Sequence, residues 1–397
     1  QTMIKSHIFF SKCIKQAINP VFRQTSRNFS TSTADSKEKN PILRGIKLQH
    51  EALEHAENLE YYDALVKAVE ALEITEQAFG SDHTYTAEAL MKTADYYNII
   101  GYYEKAMSDA KQAVDILKSQ STSHQPAFSD ALSTYSKTLA AGGLYEEALK
   151  VEKAAHRIKQ DLFGNNNIQT VRSLCALGDR YRLVGDTEQA SKILTDCFQQ
   201  SDQFFDNSQI DKFLLNLSLA ELYIDKNDYD LAHYHVDRVL VGLKMLNQKK
   251  HPLIGKLHNT LGELELFDKD YEGALDALQK SVKFHEYVFE GSHPDLAITL
   301  TYLARLYLEK GDAEKAKSTQ QEGIEMWKNF SADITHPQYS IMNLMLANIM
   351  RHTTDKMGAQ KLTERSYSEL VAKLGKNHPK TMYYRYVLEN YANDMIQ

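Results

Sequence analysis

The most regular feature of this chain is a small residue that returns every 42 positions, with a single step of 43 at the end. A second small residue stands twelve positions before it, and a third, mostly small, stands seven positions after it. On helical spacing these slots give each of two successive helices a face without bulky side chains, and such faces allow helices to approach closely. The pattern predicts eight consecutive helix hairpins. The recurring slot is filled by Ala64, Ala106, Ala148, Ala190, Ala232, Ala274, Ala316 and Ala359.

The turns and links of these hairpins repeat as well. Tyrosine stands three residues before the recurring alanine in five units, beginning with Tyr61 and Tyr103. Several links place glycine near a helix end and His-Pro at the next helix start, as in Gly291-Ser292-His293-Pro294. This pattern resembles the tetratricopeptide repeat, whose usual period is 34, and the longer period resembles the kinesin light chain subtype. The resemblance implies an all-α superhelical solenoid of about eight hairpins over residues 42–378, with a C-terminal capping helix and tail over residues 379–397.

The first 34 residues have a different composition from the rest. They contain five Lys and Arg residues and no Asp or Glu, interleaved with apolar residues, and they end in the run Ser30-Thr31-Ser32-Thr33. Such a basic, amphipathic, hydroxyl-rich segment is typical of a mitochondrial targeting presequence, and Arg27-Asn28-Phe29-Ser30 resembles a matrix-processing cleavage sequence. A disordered tail is the alternative. We expect residues 1–34 to be a presequence, residues 35–41 a linker, and the protein to be in the matrix or on the matrix side of the inner membrane.

The charge and cysteine content of the remaining chain exclude several classes of function. Without the five N-terminal cations, 41 basic residues face 53 acidic ones. An acidic body is unsuited to direct nucleic-acid binding, which needs cationic surfaces. Cys175 and Cys197 fall on the two helices of one predicted hairpin but form no metal-binding or disulfide pattern. The body also has no apolar run of the length that crosses a membrane.

No sequence feature indicates catalysis. The chain has no Gly-rich phosphate loop, no Gly-x-Ser-x-Gly and no His-Glu-x-x-His. The link histidines His251, His293, His336 and His378 recur once per unit. Successive units are about 10 Å apart, whereas zinc ligands lie about 2 Å from the metal, so these histidines are interpreted as structural. We expect no enzyme activity, no cofactor and no metal.

Binding of protein partners remains as the predicted function, through the concave face that first helices line in tetratricopeptide solenoids. The family's groove position, one residue after the first small slot, falls on a run that is mostly acidic, and an apolar bias accompanies it in the later units. The predicted groove would hold a basic or helical segment, although a merely solvated face is the alternative. The predicted partner-binding residues are Asp95, Asp179, Glu221, Glu263, Leu217, Leu266, Phe267 and Leu308.

The resulting hypothesis is a non-catalytic scaffold, an accessory subunit of a large mitochondrial complex such as the respiratory chain, ATP synthase or ribosome. A mitochondrial assembly or quality-control factor is the first alternative. A cytosolic kinesin light chain-like cargo adaptor is the second, and it requires residues 1–34 to be something other than a presequence. The sequence leaves the partner, the oligomeric state and the cleavage of residues 1–34 open.

Overall fold

The computed structural model describes residues 41–119, 126–205, 210–245, 253–330, 336–352 and 355–394, with backbone alone at 390–394. The predicted presequence and nearly all of the predicted linker lie outside the described residues. The first described helix begins at Pro41, and Gly45–Gln397 forms one compact unit.

The described chain contains seventeen helices and no strand, which confirms the all-α prediction. Odd-numbered helices α1 to α15 are the first helices of eight hairpins, even-numbered helices are the second, and α17 follows the last hairpin. The helices are α1 (Pro41–Glu57), α2 (Tyr61–Phe79), α3 (Thr84–Ile99), α4 (Tyr103–Ser119), α5 (Pro126–Ala141), α6 (Tyr145–Phe163), α7 (Ile168–Leu183), α8 (Thr187–Phe204), α9 (Ile210–Asp225), α10 (Tyr229–Met245), α11 (Leu253–Phe267), α12 (Tyr271–Phe289), α13 (Pro294–Glu309), α14 (Ala313–Phe330), α15 (Pro337–Arg351), α16 (Lys356–Leu374) and α17 (Pro379–Asp394).

The small slots are the contact points of the hairpins. All eight recurring alanines are fully buried. At two of the preceding slots only glycine fits, because a Cβ on Gly178 would lie 2.8 Å from Leu194 Cδ2 and one on Gly262 would lie 2.6 Å from Leu278 Cδ2. A leucine of the second helix therefore packs directly on the backbone of the first. The predicted lean faces are confirmed as the interior of each hairpin.

The links follow the predicted arrangement of glycine and His-Pro. Gly80 and Gly375 end α2 and α16 with φ of 91° and 82°, in the region that glycine adopts without a Cβ penalty. Pro294 and Pro337 occupy the first turns of α13 and α15. The preceding histidines cap these helices, since the Asp295 backbone N–H donates to His293 Nδ1 and the Gln338 N–H donates to His336 Nδ1.

The same histidines join parts of the solenoid that are remote in sequence. The Nε2 atoms of His293, His336 and His378 lie 2.8–3.1 Å from the carbonyl oxygens of Ile99, Ala141 and Leu183. Each pair is separated by 194 or 195 residues, which is between four and five repeat units. We call these three contacts the histidine clasps. They show that one superhelical turn packs against the next.

Tyrosines of the hairpin turns complete these contacts. The His336 ring lies between Tyr103 and Tyr145, with ring centroids 6.5 and 6.4 Å away, and Trp327 lies 5.0 Å from it. The turn tyrosines of units two and three therefore contact the link before unit eight.

Among the described residues, no helix has both the length and the apolar character needed to cross a membrane.

Candidate functional site

The structure pairs the predicted acidic groove positions with groups of the chain itself. Asp95 on α3 accepts from Lys137 on α5 at 2.9 Å, and the two residues occupy the same slot of neighbouring units. Glu263 on α11 accepts from the Tyr302 hydroxyl on α13 at 2.7 Å. Two of the four predicted groove carboxylates therefore already have a partner within the chain.

Asp179 and Glu221 belong to a larger group that we call the central ion cluster. Its hub is Arg182 on α7, which lies 2.9 Å from Asp179, 2.7 Å from Glu221 and 3.6 Å from Asp225. Lys256 on α11 completes it with a 3.0 Å ion pair to Glu221. The cluster links the first helices of units four, five and six.

Burial and neighbouring charge decide how the carboxylates titrate. Burial raises the pKa of Glu221, but Lys256 and Arg182 outweigh it and hold the pKa below its usual value. The pKa of Asp179 is lowered in the same way by Arg182 and Arg180. Burial dominates at Asp225 and Glu263 and raises their pKa values. The interior thus favours the charged form of Asp179 and Glu221 and disfavours the charged form of Asp225 and Glu263.

The predicted apolar groove residues fall into two groups. Leu217 and Leu266 are buried in the hydrophobic core, so their prediction as partner-binding residues is wrong. Each lies on the flank of its first helix that packs against neighbouring helices, which spacing along one helix does not reveal. Leu308 is half-buried against the cluster that contains Met345 and Ile349.

Phe267 is half-buried, and α17 packs against it. The Tyr383 ring lies 6.2 Å from the Phe267 ring, and the Arg305 guanidinium is over both rings, at 6.0 and 4.5 Å. Tyr229 stacks on Phe267 at 5.0 Å. The sequence predicts α17 only as a cap on unit eight. Superhelical closure also brings it to unit six, where Tyr383 packs against Phe267.

The residues elsewhere that could bind a metal or act as nucleophiles already form structural contacts. His285, His293 and Asp295 are close enough to share a metal ion. Yet His285 Nδ1 lies 2.8 Å from the Ser281 carbonyl oxygen and both His293 nitrogens are hydrogen-bonded. Cys175 and Cys197 are free thiols in contact, and their hydrogen bond together with burial raises the pKa of Cys175, which opposes reactivity.

Arg182, Arg180 and Lys256 are the groove residues that the sequence interpretation missed. It considered one slot per first helix, whereas a groove-facing stripe continues three and four residues further on. Arg182 is three residues after Asp179, and Asp225 is four residues after Glu221. Including this second row would have shown Arg182 as a compensating cation, whereas Arg180 and Lys256 fall outside it.

Comparisons with known proteins agree with this architecture. The tetratricopeptide repeat family model matches residues 128–202 and 253–329. Protein KINESIN LIGHT CHAIN-RELATED 3 of Arabidopsis thaliana is 20% identical over 306 residues, covering 76% of this chain and 47% of that protein. The chain thus spans about half the length of this curated relative.

Two solved structures show the same fold. A STAND-type signal-transduction ATPase with a tetratricopeptide repeat sensor, from Pyrococcus horikoshii, aligns with a TM-score of 0.51 at 13% identity, covering 91% of this chain and 55% of the other. The apo form of the quorum sensor NprR from B. thuringiensis aligns with a TM-score of 0.51 at 16% identity, covering 72% and 77%.

Proposed function

We propose that this chain, which resembles tetratricopeptide-repeat proteins, is a non-catalytic scaffold that holds protein partners as an accessory subunit of a large mitochondrial complex. The observation that carries the proposal is the set of three histidine clasps, which tie units two, three and four to the links that follow units six, seven and eight. A solenoid fixed against itself presents surfaces of constant geometry. Preorganised surfaces lose less conformational entropy on binding, which favours stable association.

The concave face also favours a fixed partner over a peptide clamp. Arg182 and Lys256 of the central ion cluster pair with carboxylates of the chain itself, and α17 covers Phe267. A peptide entering there would have to displace both the ion pairs and the last helix. We therefore propose that stable partners use surfaces outside the middle of the groove.

The mitochondrial part of the proposal is supported by the composition of residues 1–34, with five cations, no acid and a hydroxyl-rich end. The assembly or quality-control factor remains the alternative within the same compartment. The two differ in stoichiometry, since a subunit stays with its complex and a factor leaves it.

The test is blue-native electrophoresis of gently solubilised mitochondria, followed by mass spectrometry of the proteins that migrate with this chain. The subunit hypothesis expects constant stoichiometry with one large complex, and peptides that begin near Ser30 if the presequence is removed. Migration as a free chain would contradict it and favour the transient factor. A fluorescent protein fused behind residues 1–34 that stays in the cytosol would contradict the location.

A further inference from the structure

One outer helix departs from the polar surface that the other units share. On α10, Leu231, Tyr234, Val241 and Met245 are 40, 47, 56 and 79% exposed. Together with Arg238 they are spaced by three and four residues, which places them on one stripe opposite the buried Ala232, Val236 and Val239. We call these five residues the outer stripe. It is about 21 Å long, given a rise of 1.5 Å per residue.

The repeat itself supplies the comparison that makes this stripe unusual. The five slots have equivalents in the seven other second helices, with the same relation to the recurring alanine. Five of those helices carry no large apolar residue at any of the five slots, and the other two carry one each, Val66 and Tyr287. Polar slots on α6 and α14 are typical, namely Glu147, Lys150, Ala154, Arg157 and Asp161, and Lys315, Ser318, Glu322, Glu325 and Asn329. Packing of the hairpin therefore does not require the apolar residues of α10.

Arg238 turns the centre of the stripe into a flat aromatic platform. Its guanidinium lies 5.1 Å from the Phe198 ring on α8 and 5.7 Å from the Tyr234 ring, and it donates to the Tyr234 hydroxyl at 3.2 Å. Tyrosine and arginine are enriched among the residues that dominate binding energy at protein interfaces. This contact joins the stripe on α10 to the half-buried Phe198 on α8.

The edge of the stripe that faces unit six is acidic. Asp230 and Asp237 are exposed on α10 and form no ion pair among the described residues. Glu265 and Asp268 lie beyond them, with His233 2.5 Å from Asp268. Burial, followed by the charges of Asp270, Asp268 and Asp237, raises the pKa of Glu265 in spite of His233. The carboxylates on this edge therefore outnumber the nearby cations.

We propose that the outer stripe docks an amphipathic helix of another protein, with apolar residues at three- and four-residue spacing and Lys or Arg along the edge that meets Asp230 and Asp237. This inference rests on the proposed scaffold function and names its partner class. An apolar helix face covers the stripe, and basic side chains compensate its acidic edge. The proposal keeps the predicted basic or helical partner but places its binding site on the outer stripe instead of in the groove.

The test uses the full chain and two synthetic helical peptides of about six turns that share one leucine stripe and carry either Lys or Glu along one edge. Fluorescence anisotropy is expected to show the Lys-edged peptide bound at least tenfold more tightly than the Glu-edged one. V241E/M245E should weaken binding of the Lys-edged peptide at least tenfold. S368E/A372E places the same changes at the equivalent exposed slots of α16 and should leave binding unchanged. D237K should reverse the preference between the peptides.

Equal binding by V241E/M245E and the wild-type chain, a preference for the Glu-edged peptide, or no binding of either would overturn the docking site. Light scattering adds one further outcome, because a wild-type dimer that V241E/M245E separates would make a second copy the occupant and overturn the heterologous partner. Circular dichroism confirms that each variant is folded.

The scaffold proposal is judged separately, by blue-native migration of the same variants. If V241E/M245E stays with the large complex, the scaffold stands and the stripe is not its docking site. If the wild-type chain migrates alone, the scaffold fails whatever the peptides show.

Discussion

At the scale of single residues, the link histidines are both caps and clasps. In His293, Nδ1 accepts from a backbone N–H and Nε2–H donates to the Ile99 carbonyl, an arrangement that requires the neutral imidazole. Burial lowers the pKa of His293 and of His378 to about 4, and that of His336 to about 3. Their depressed pKa values make the clasps a source of stability at neutral pH that acid removes.

We predict that stability falls as the pH drops from 6.5 towards 4. A histidine with a lowered folded-state pKa stabilises fully above its unfolded value near 6.5, and the loss by pH 5 is on the order of 1–2 kcal/mol per histidine. Asp225 and Glu263 act in the opposite direction because their pKa values are raised. Urea unfolding at pH 7.5 and 5.0 measures the balance.

The triple variant H293N/H336N/H378N is the control for this pH dependence. Asn167 already caps α7 by accepting from the Gln169 N–H at 2.8 Å, so asparagine keeps the cap and removes the clasp. The variant should be less stable at pH 7.5 and should lose less stability on acidification. If the variant loses as much stability on acidification as the wild-type chain, the three clasp histidines do not cause the pH dependence.

Two glycines at equivalent turns separate backbone strain from the contact between superhelical turns. Gly101 and Gly311 have φ of 90° and 84°. A Cβ on Gly101 would lie 2.6 Å from Pro294 Cγ, whereas one on Gly311 has no neighbour within 4 Å. Gly311→Ala should cost about 1–2 kcal/mol from strain alone. Gly101→Ala should cost about 1–3 kcal/mol more because it also forces the turns apart. Equal unfolding free energies would contradict the close approach.

At the scale of helices, the central ion cluster holds neighbouring first helices in register. Arg182 on α7 is largely buried and bridges carboxylates of α7 and α9, and Lys256 extends the cluster to α11. Such a group contributes little net stability as a whole, since desolvation offsets attraction. Removing its hub takes the ion pair from Asp225 and leaves Asp179 and Glu221 with one cation each, and that is costly.

We therefore predict that Arg182→Met destabilises the protein by about 3–5 kcal/mol. Arg365→Met provides the matched control, because Arg365 is exposed and pairs with Glu369 only at the surface of α16, where the loss of stability should be small. Urea unfolding of both variants at pH 7.5 checks the difference. Similar small losses would mean that the cluster is solvated rather than buried.

At the scale of the whole molecule, the clasps change the unfolding behaviour expected of a repeat protein. Solenoid units ordinarily contact only their neighbours, so stability adds along the chain and parts can unfold separately. Here units two to four also contact the links before units seven and eight and before α17. We infer that the two halves of the solenoid unfold as one cooperative unit.

The single tryptophan reports on this cooperativity. Trp327 lies on α14, 5.0 Å from the clasp residue His336, whereas far-ultraviolet circular dichroism reports on all helices. In the wild-type chain the two probes should give coincident urea transitions. In H293N/H336N/H378N they should separate. Separate transitions already in the wild type would contradict the proposed coupling.

The sequence determined the repeat. The period, the helix hairpins, their small contact slots and the glycine and His-Pro links could all be predicted, because neighbouring units meet through residues at a fixed spacing. Where Ala106 or Gly178 stands, local spacing alone requires a small residue, and the structure confirms both.

Only the tertiary structure decided which of the predicted groove residues are engaged by the chain itself. The superhelical pitch sums small rotations between units that no local pattern encodes, and it sets the 194- and 195-residue contacts of the clasps. The same closure brings Tyr383 over Phe267, while neighbouring units pair Glu221 with Arg182. The sequence thus determined the repeat unit, and the accumulated geometry of the units determined which of its residues contact distant parts of the chain.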